Sequence, residues 1–321
     1  MRILFVTNMY PTAERPGYGA FVRQQAEQLH CFGHTVDVIN VLGFRSRLNY
    51  MKGALDVLRK TRTTSYDVVH AHYGLTACPA WFRHGAPLVM TLHGSDVLGG
   101  RFERLCSRLM SRLADAVIVV SEQMRRSIPG TVIPCGVDLE LFRPLNREEA
   151  RARLGWPSDG HRILFPFDPR RRVKRYDLAR AAVERLAEDG IQAELMTVFD
   201  VDNRQMPWHY SAADAMILCS DSEGSPTSIK EALACDLPVV ATDVGDVREI
   251  VRGVPGTWIC AQQVGDIARG LREALTAPRS GRFERRAAVA KYNQDLTVTK
   301  IIGVYNTVLA GFAAKRSVIR T

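Results

Sequence analysis

The sequence contains no uninterrupted apolar run approaching the ~18 residues needed to span a bilayer. Its first residues, Met1-Arg2-Ile3-Leu4-Phe5-Val6, turn polar at Thr7-Asn8, too soon for a signal-peptide core and without a small-residue cleavage site. Residence in the cytosol is therefore expected. The seven cysteines, at 31, 78, 106, 135, 219, 235 and 260, form no C-x-x-C pair and no Cys/His zinc spacing. Reduced thiols, mostly in the core, are expected, and a metal site is not. A G-x-G-x-x-G directly after a strand is missing, which argues against a nicotinamide-dependent oxidoreductase. Low-complexity tracts and short repeats are lacking as well.

What is present is apolar material, 46% of 321 residues, enough for two domains with a core each. The net charge is +9; up to residue 145, 17 Lys+Arg stand against 11 Asp+Glu, and beyond it 26 against 23. The positive excess thus lies mainly in the first half. It suits anionic lipid, nucleic acid or a phosphorylated substrate, or is a merely solvated surface.

Short apolar runs alternate with amphipathic stretches. Ile3–Val6, Val36–Val41, Val68–His70, Leu88–Leu92, Ala116–Val120 and Val132–Pro134 read as strands, with helices such as Phe21–Phe32 and Phe102–Leu113 between them. The rhythm breaks near Pro134–Asp138, and the stretch through Leu145 reads as a linker. A second series follows: Ile163–Phe165, Ala193–Val198, Ala215–Leu218, Pro238–Thr242 and Thr257–Cys260, with a helix at Leu178–Leu186. After Gly265 the pattern is helical, with a break around Pro278–Gly281. Alternating strands and helices imply parallel sheets with right-handed crossovers. The expected fold is α/β: two Rossmann-like doubly wound domains facing across a cleft. Residues 1–145 would form the first domain and 146–295 the second, with 296–321 a helix packing back toward the first. Ligands of such domains bind at the C-terminal ends of the strands.

The most informative segment is Ser220-Asp221-Ser222-Glu223-Gly224-Ser225-Pro226-Thr227-Ser228-Ile229-Lys230-Glu231, directly after the strand Ala215–Leu218. Ser225 reads as an N-cap and Pro226 as the first helical residue. A strand, a glycine turn and a helix N-terminus together make an anion site suited to a diphosphate. Pro226 has no N–H, so Gly224, Ser225, Thr227 and Ser228 are the expected donors. A carboxylate beside a phosphate would be repelled, so Glu223 and Glu231 need another task. Accepting hydrogen bonds from the donor hexose and the ribose, respectively, is the natural one. The plainer alternative is a cap for Glu223 and a surface position for Glu231.

Glu223-x7-Glu231 within EGSPTSIKEALACDLPVVATDVGDV resembles the E-x7-E signature of GT-B, GT4-type glycosyltransferases. MRILFVTNMYPTAERPGYGAFVRQQAEQL is similar to bacterial surface-polysaccharide members of the teichuronic-acid type, and TLHGSDV and IPCGVDLELFRP resemble further family blocks. The resemblance implies retaining transfer from a UDP- or GDP-type sugar donor without a metal or other cofactor. The acceptor would be a glycan or a polyprenyl-linked one in cell-surface polysaccharide synthesis. It implies that the loop with Gly17 and Gly19 borders the donor phosphate, and that His93, at a strand end, supports the reacting sugar. Asp96 would be its partner or an acceptor contact. His70 and His72 share one strand face and read as structural. Phe167–Asp177 holds a basic cluster after a strand and resembles the family's GR-x(n)-KG block, with Lys174 on its Lys. The partner arginine is open among Arg170, Arg171 and Arg172. Such cations neutralise a diphosphate leaving group.

This chain departs from the pattern in three places. The Gly-Arg pair is replaced, Lys-Gly becomes Lys174-Arg175, and Cys135 stands where relatives carry Asn. A non-catalytic nucleotide-sugar-binding or scaffold subunit is accordingly the alternative. Asp200-Val201-Asp202 is a D-x-D triplet expected to lie in a loop. Finally, Arg101, Arg104, Arg108 and Arg112 share one helical face, with Phe102, Leu105, Leu109 and Leu113 on another. With Arg125 and Arg126, this basic face is expected to meet an anionic membrane; an ordinary surface helix with a core-facing apolar stripe is the alternative. A nucleic-acid partner is not expected.

Overall fold

The computed structural model describes residues 1–43, 45–277 and 284–320, with the backbone alone for 316–320. The chain divides into two compact units. Unit 1 comprises residues 1–11, 18–136 and the chain from 294 onward; unit 2 comprises residues 12–17 and 137–293. The division after Gly136 lies earlier than the boundary at 145 read from the linker.

Unit 1 contains β1 (Arg2–Thr7), α1 (Ala20–Cys31), β2 (Thr35–Asn40), α2 (Leu48–Thr63), β3 (Val68–His72) and α3 (Gly74–Trp81). These are followed by β4 (Leu88–Leu92), α4 (Ser95–Leu98), α5 (Arg101–Leu113), β5 (Ala116–Val119), α6 (Glu122–Arg125) and β6 (Thr131–Val132). Its six strands are all parallel, in the order β2-β1-β3-β4-β5-β6. The central strands β1, β3, β4 and β5 are mostly apolar because both their faces are covered, whereas the edge strand β2 carries Asp37 and Asn40. Leu4 and Val6 of β1 point to one core with Val57 of α2, Ala77 and Ala80 of α3 and Met110 of α5. Ile3 and Phe5 point to the other, with Val22, Ala26 and Leu29 of α1.

Unit 2 contains α7 (Arg147–Leu154), β7 (His161–Phe165), α8 (Tyr176–Glu188), β8 (Ala193–Thr197), α9 (Met206–Ala212) and β9 (Ala215–Leu218). Then come α10 (Thr227–Ala234), β10 (Val239–Thr242), α11 (Val247–Val251), β11 (Thr257–Cys260), α12 (Val264–Thr276) and α13 (Glu284–Val289). Its parallel sheet runs β11-β10-β9-β7-β8. α8 and α12 cover one face through Ala179, Leu186, Ile267 and Leu271. Tyr210, Ile229, Leu233 and Ile250 cover the other. The break expected around Pro278–Gly281 lies outside the described residues.

The last helix, α14 (Gln294–Arg320), belongs to unit 1, where Val298, Ile301, Tyr305 and Val308 complete the core beneath α1. Gln294–Lys315 is long and apolar enough to cross a membrane by length and composition alone. One stripe of it is buried in the unit 1 core, and 28% of the apolar window is buried in all.

The expectation for α5 needs correction on one alternative. Its apolar stripe does not face the core: Phe102, Leu105, Leu109 and Leu113 are 62%, 66%, 55% and 40% exposed. The face turned to the protein carries Ser107 and Met110. Gly74 opens α3, and a Cβ there would stand 1.9 Å from Ser107 Oγ. That close approach seats the polar Ser107, not the leucines, against unit 1.

Candidate active site

In unit 2 the functional turn lies at the C-terminal end of β9, where the chain crosses to α10. The helix starts at Thr227, with Pro226 as its N-cap at φ −66° and ψ 112°. This corrects the expectation that Ser225 caps and Pro226 is the first helical residue. Ser225 is instead buried, its Oγ donating to Asp246 Oδ2 at 2.6 Å and accepting from Lys230 Nζ at 2.5 Å. Lys230 is fully buried, 4.6 Å above the ring centroid of Tyr292. Burial raises the Asp246 carboxyl, and Lys230 and the Ser225 hydroxyl oppose that rise. The loop after β10 presses on the same turn: Gly245 has φ +60°, and a Cβ there would stand 2.7 Å from Gly224 O and 2.8 Å from Glu223 O. The turn is thus clamped from beneath by a Lys–Ser–Asp knot and a glycine. The N–H groups of Thr227 and Ser228 open α10 and have no helical carbonyl to meet.

Glu223 and Lys174 meet at this turn. Lys174 Nζ donates to Glu223 Oε1 at 2.6 Å, and Ser220 Oγ donates to the same oxygen at 2.6 Å. Lys174 also lies 4.1 Å from the Phe167 ring centroid. Burial lowers its ammonium and the Glu223 carboxylate raises it back. A backbone bond from Asp221 N–H to Val173 C=O holds the lysine turn beside the glutamate turn. Of the three candidate arginines, Arg170 is tied to Asp168, its Nε donating at 2.9 Å. Arg171 and Arg172 are exposed. Arg175, in place of the family's glycine, adopts φ +53°, the left-handed region glycine favours. Ion pairs to Asp177 at 2.8 Å and Asp221 at 3.2 Å hold it there.

Glu231 is not at the surface. It is 8% exposed and accepts from Tyr210 Oη at 2.8 Å. Burial pushes its carboxyl up to about 7 against hydrogen bonds from Tyr210 and Thr227. Gly17 belongs to unit 2, where a Cβ would stand 2.8 Å from Val201 O. Asp200 and Asp202 lie in a loop, where Asp202 accepts from Arg204 N–H at 2.9 Å. No cluster of metal-binding type occurs among the described residues.

In unit 1, His93 follows β4. Its backbone N–H donates to Asp96, whose fully buried carboxylate also accepts from the N–H groups of Gly94 and Gly74. Burial pushes the Asp96 carboxyl up to about 6 against these bonds. Asp96 therefore partners His93 through its backbone and fixes the loop; its carboxylate is not available as an acceptor-side contact. His93 Nε2 lies 3.2 Å from His72 Nδ1, and His93 Nδ1 lies 3.9 Å from Cys135 Sγ. His70 in turn lies 2.6 Å from Tyr305 Oη and 2.7 Å from Thr91 Oγ1. Burial lowers all three imidazoles, His70 and His93 to about 3, so all are neutral at pH 7. Gly19 caps α1 at φ +72°, with Met9 C only 2.2 Å from a would-be Cβ, so the position admits no side chain. The His72–His93 contact, the Lys230–Asp246 knot and Tyr210 beside Glu231 carried no sequence signal, because each joins residues far apart in the chain.

Two parallel-sheet α/β units, one with a sheet-to-helix turn that brings together an open helix N-terminus, a buried lysine and two carboxylates, match the GT-B fold. The profile of Glycosyltransferase Family 4 matches residues 9–141, and that of Glycosyl transferases group 1 matches residues 147–295. The chain belongs to the GT4-type, group 1 glycosyltransferases. It is 28% identical to TuaC of Bacillus subtilis (strain 168), a glycosyltransferase assigned to teichuronic acid biosynthesis, over 78% of this chain and 83% of that protein. It is also 28% identical to the D-inositol 3-phosphate glycosyltransferase of Mycobacterium leprae (strain Br4923), over 78% of this chain and 71% of that protein. Among solved structures, sucrose-phosphate synthase from Thermosynechococcus elongatus superposes with a TM-score of 0.78 at 21% identity, covering 97% of this chain and 99% of that one. Anabaena HepE in complex with UDP and glucose gives 0.71 at 16%, covering 96% and 100%.

Proposed function

We propose that this glycosyltransferase is a retaining, metal-independent enzyme that moves a sugar from a UDP- or GDP-type donor to a glycan or polyprenyl-linked acceptor. Its place would be cell-surface polysaccharide synthesis, at the cytoplasmic face of the membrane, with the arginine face of α5 toward anionic lipid. The carrying observation is the Lys174–Glu223 pair beside the open N-terminus of α10. A diphosphate docking on the Thr227 and Ser228 N–H groups competes with Glu223 for Lys174. Glu223, displaced, turns to the hydroxyls of the donor sugar. Arg171 or Arg172, both exposed, adds the second cation, while Glu231 accepts from the ribose and His93, neutral, from the reacting sugar. The likeness to TuaC favours a polysaccharide acceptor, and the complex of HepE with UDP and glucose makes UDP the first donor base to try.

The test is thermal unfolding with UDP, GDP, ADP, dTDP and NAD in excess. A ligand at about 100 times its Kd adds roughly 2.7 kcal/mol. A rise with one nucleoside diphosphate, none with NAD, and transfer that fails in Glu223→Ala are expected. Undiminished transfer by Glu223→Ala overturns the role of Glu223. Nucleotide binding without transfer to any acceptor favours a non-catalytic binding subunit, the second reading that the altered basic block motivates.

A further inference from the structure

Of the twelve large apolar side chains most exposed among the described residues, nine lie on three helices of unit 1 or, for Phe82, at the C-cap of one. Leu48, Met51 and Leu55 stand on α2, at 71%, 69% and 54% exposure. Trp81 and Phe82 end α3, and Phe102, Leu105, Leu109 and Leu113 line α5. The three helices form one layer, α3 packing on both α2 and α5. Small residues bring them close: Gly53 of α2 lies over Pro79 of α3, and Gly74 of α3 lies against Ser107 of α5. Cys106, on the shoulder of the α5 stripe, meets Cys78 of α3. On α2 the buried stripe is Gly53, Val57 and Thr61, so Leu48 and Leu55 point away from the protein and Met51 lies on the flank beside them. Scattered exposed apolar residues are ordinary, but a cluster of this kind on one layer marks an interaction surface.

Charge selects the occupant. Arg101, Arg104, Arg108 and Arg112 are all exposed along the flank of α5 beside its apolar stripe, against the single acid Glu103. Lys52 and Arg59 are exposed on α2, and Arg47 is exposed at its N-cap. A second copy of this chain would bring arginine against arginine. A bilayer offers hydrocarbon to the stripe and phosphate to the arginines, whose long stems reach up to the headgroups.

We propose that unit 1 docks on an anionic bilayer by sinking the apolar stripes of α2 and α5 and the Trp81 end of α3 into the lipid interface. This deepens the membrane-side reading above. It replaces an electrostatic contact of one helix by an inserted face of three, and it holds whichever sugar is moved.

The experiment uses the full chain and phosphatidylcholine vesicles with or without phosphatidylglycerol. Co-sedimentation that needs the anionic lipid, together with a blue shift of tryptophan emission that Trp81→Phe abolishes, is expected. Leu105→Ser/Leu109→Ser, with unchanged circular dichroism, should cut partitioning at least about 10-fold, as loss of two inserted leucines implies. Arg104→Gln/Arg108→Gln/Arg112→Gln should cut it by roughly 100-fold and flatten the lipid dependence. Equal binding by the leucine variant, or an emission shift that survives Trp81→Phe, overturns the inserted face. A wild-type dimer by light scattering that the leucine variant dissolves assigns the face to a second copy and also overturns it. Transfer to a water-soluble acceptor separates the two ideas: kept without vesicle binding, the enzyme reading stands and this one falls; absent with binding intact, the reverse holds.

Discussion

Lys174 and Glu223, 49 residues apart, are each other's counter-ion, with Nζ to Oε1 at 2.6 Å and side chains only 8% and 14% exposed. Removing one partner strands the other, so Lys174→Met and Glu223→Gln should each lower stability by about 2–4 kcal/mol. The double variant should lose less than the two together. Denaturant midpoints of the four proteins check this; strict additivity would mean that the pair is not coupled. In transfer assays each single variant should lose roughly 100-fold in kcat/KM.

The Lys230–Ser225–Asp246 knot should behave as a support for the turn. Lys230→Met leaves the Asp246 carboxylate buried without its cation and should cost about 3–5 kcal/mol. Lys230→Met/Asp246→Asn should recover part of that stability. Thermal melts, with nucleotide titrations on the same proteins, test whether a loosened turn also binds diphosphate more weakly.

Glu231 sets a pH dependence. Its folded carboxyl, pushed up to about 7, lies above the ordinary carboxylate range. The stability it contributes is therefore full at acid pH and is lost as pH rises through 7. Glu231→Gln cannot ionise, so its melting temperature should gain on wild type between pH 5 and pH 8, by an amount equivalent to about 2.5 kcal/mol. A constant difference across that range would show that Glu231 ionises freely.

The buried histidines act with the opposite sign. His70 and His93 are held at about 3, below an ordinary imidazole, so the stability they lend is present above 6.5 and drains away as pH falls. At pH 5 this amounts to roughly 2 kcal/mol for each. Urea unfolding at pH 7 and pH 5 should show the loss, and His70→Gln should show less of it. An equal loss in both proteins would place the acid sensitivity elsewhere.

The central strands were legible because both their faces are buried, so strands such as β4 (LVMTL) and β9 (AMIL) are short apolar runs, while the edge strands β2 (TVDVIN) and β8 (AELMT) mix in polar residues. Leu88–Leu92, Ala215–Leu218 and Thr257–Cys260 were read at their observed bounds. The anion-binding turn after β9 was legible from its glycine, proline and position. What periodicity could not decide was which stripe of α5 faces inward. Both stripes repeat at helical spacing, and the choice depends on Gly74 admitting Ser107. Nor could local rules place Ser225: it satisfies the pattern of an N-cap, yet Asp246, 21 residues on, takes its hydroxyl.

The return of α14 to unit 1 has a consequence for synthesis. His70 emerges from the ribosome long before Tyr305, the phenol it meets at 2.6 Å, and residues 137–293, nearly all of unit 2, are made in between. Within this chain, unit 2 is therefore fully synthesised before unit 1 is. Until α14 is made, Ile3, Phe5 and Val89 lack the part of their core that Val298, Ile301 and Tyr305 supply, and apolar surface left open in this way is what chaperones bind.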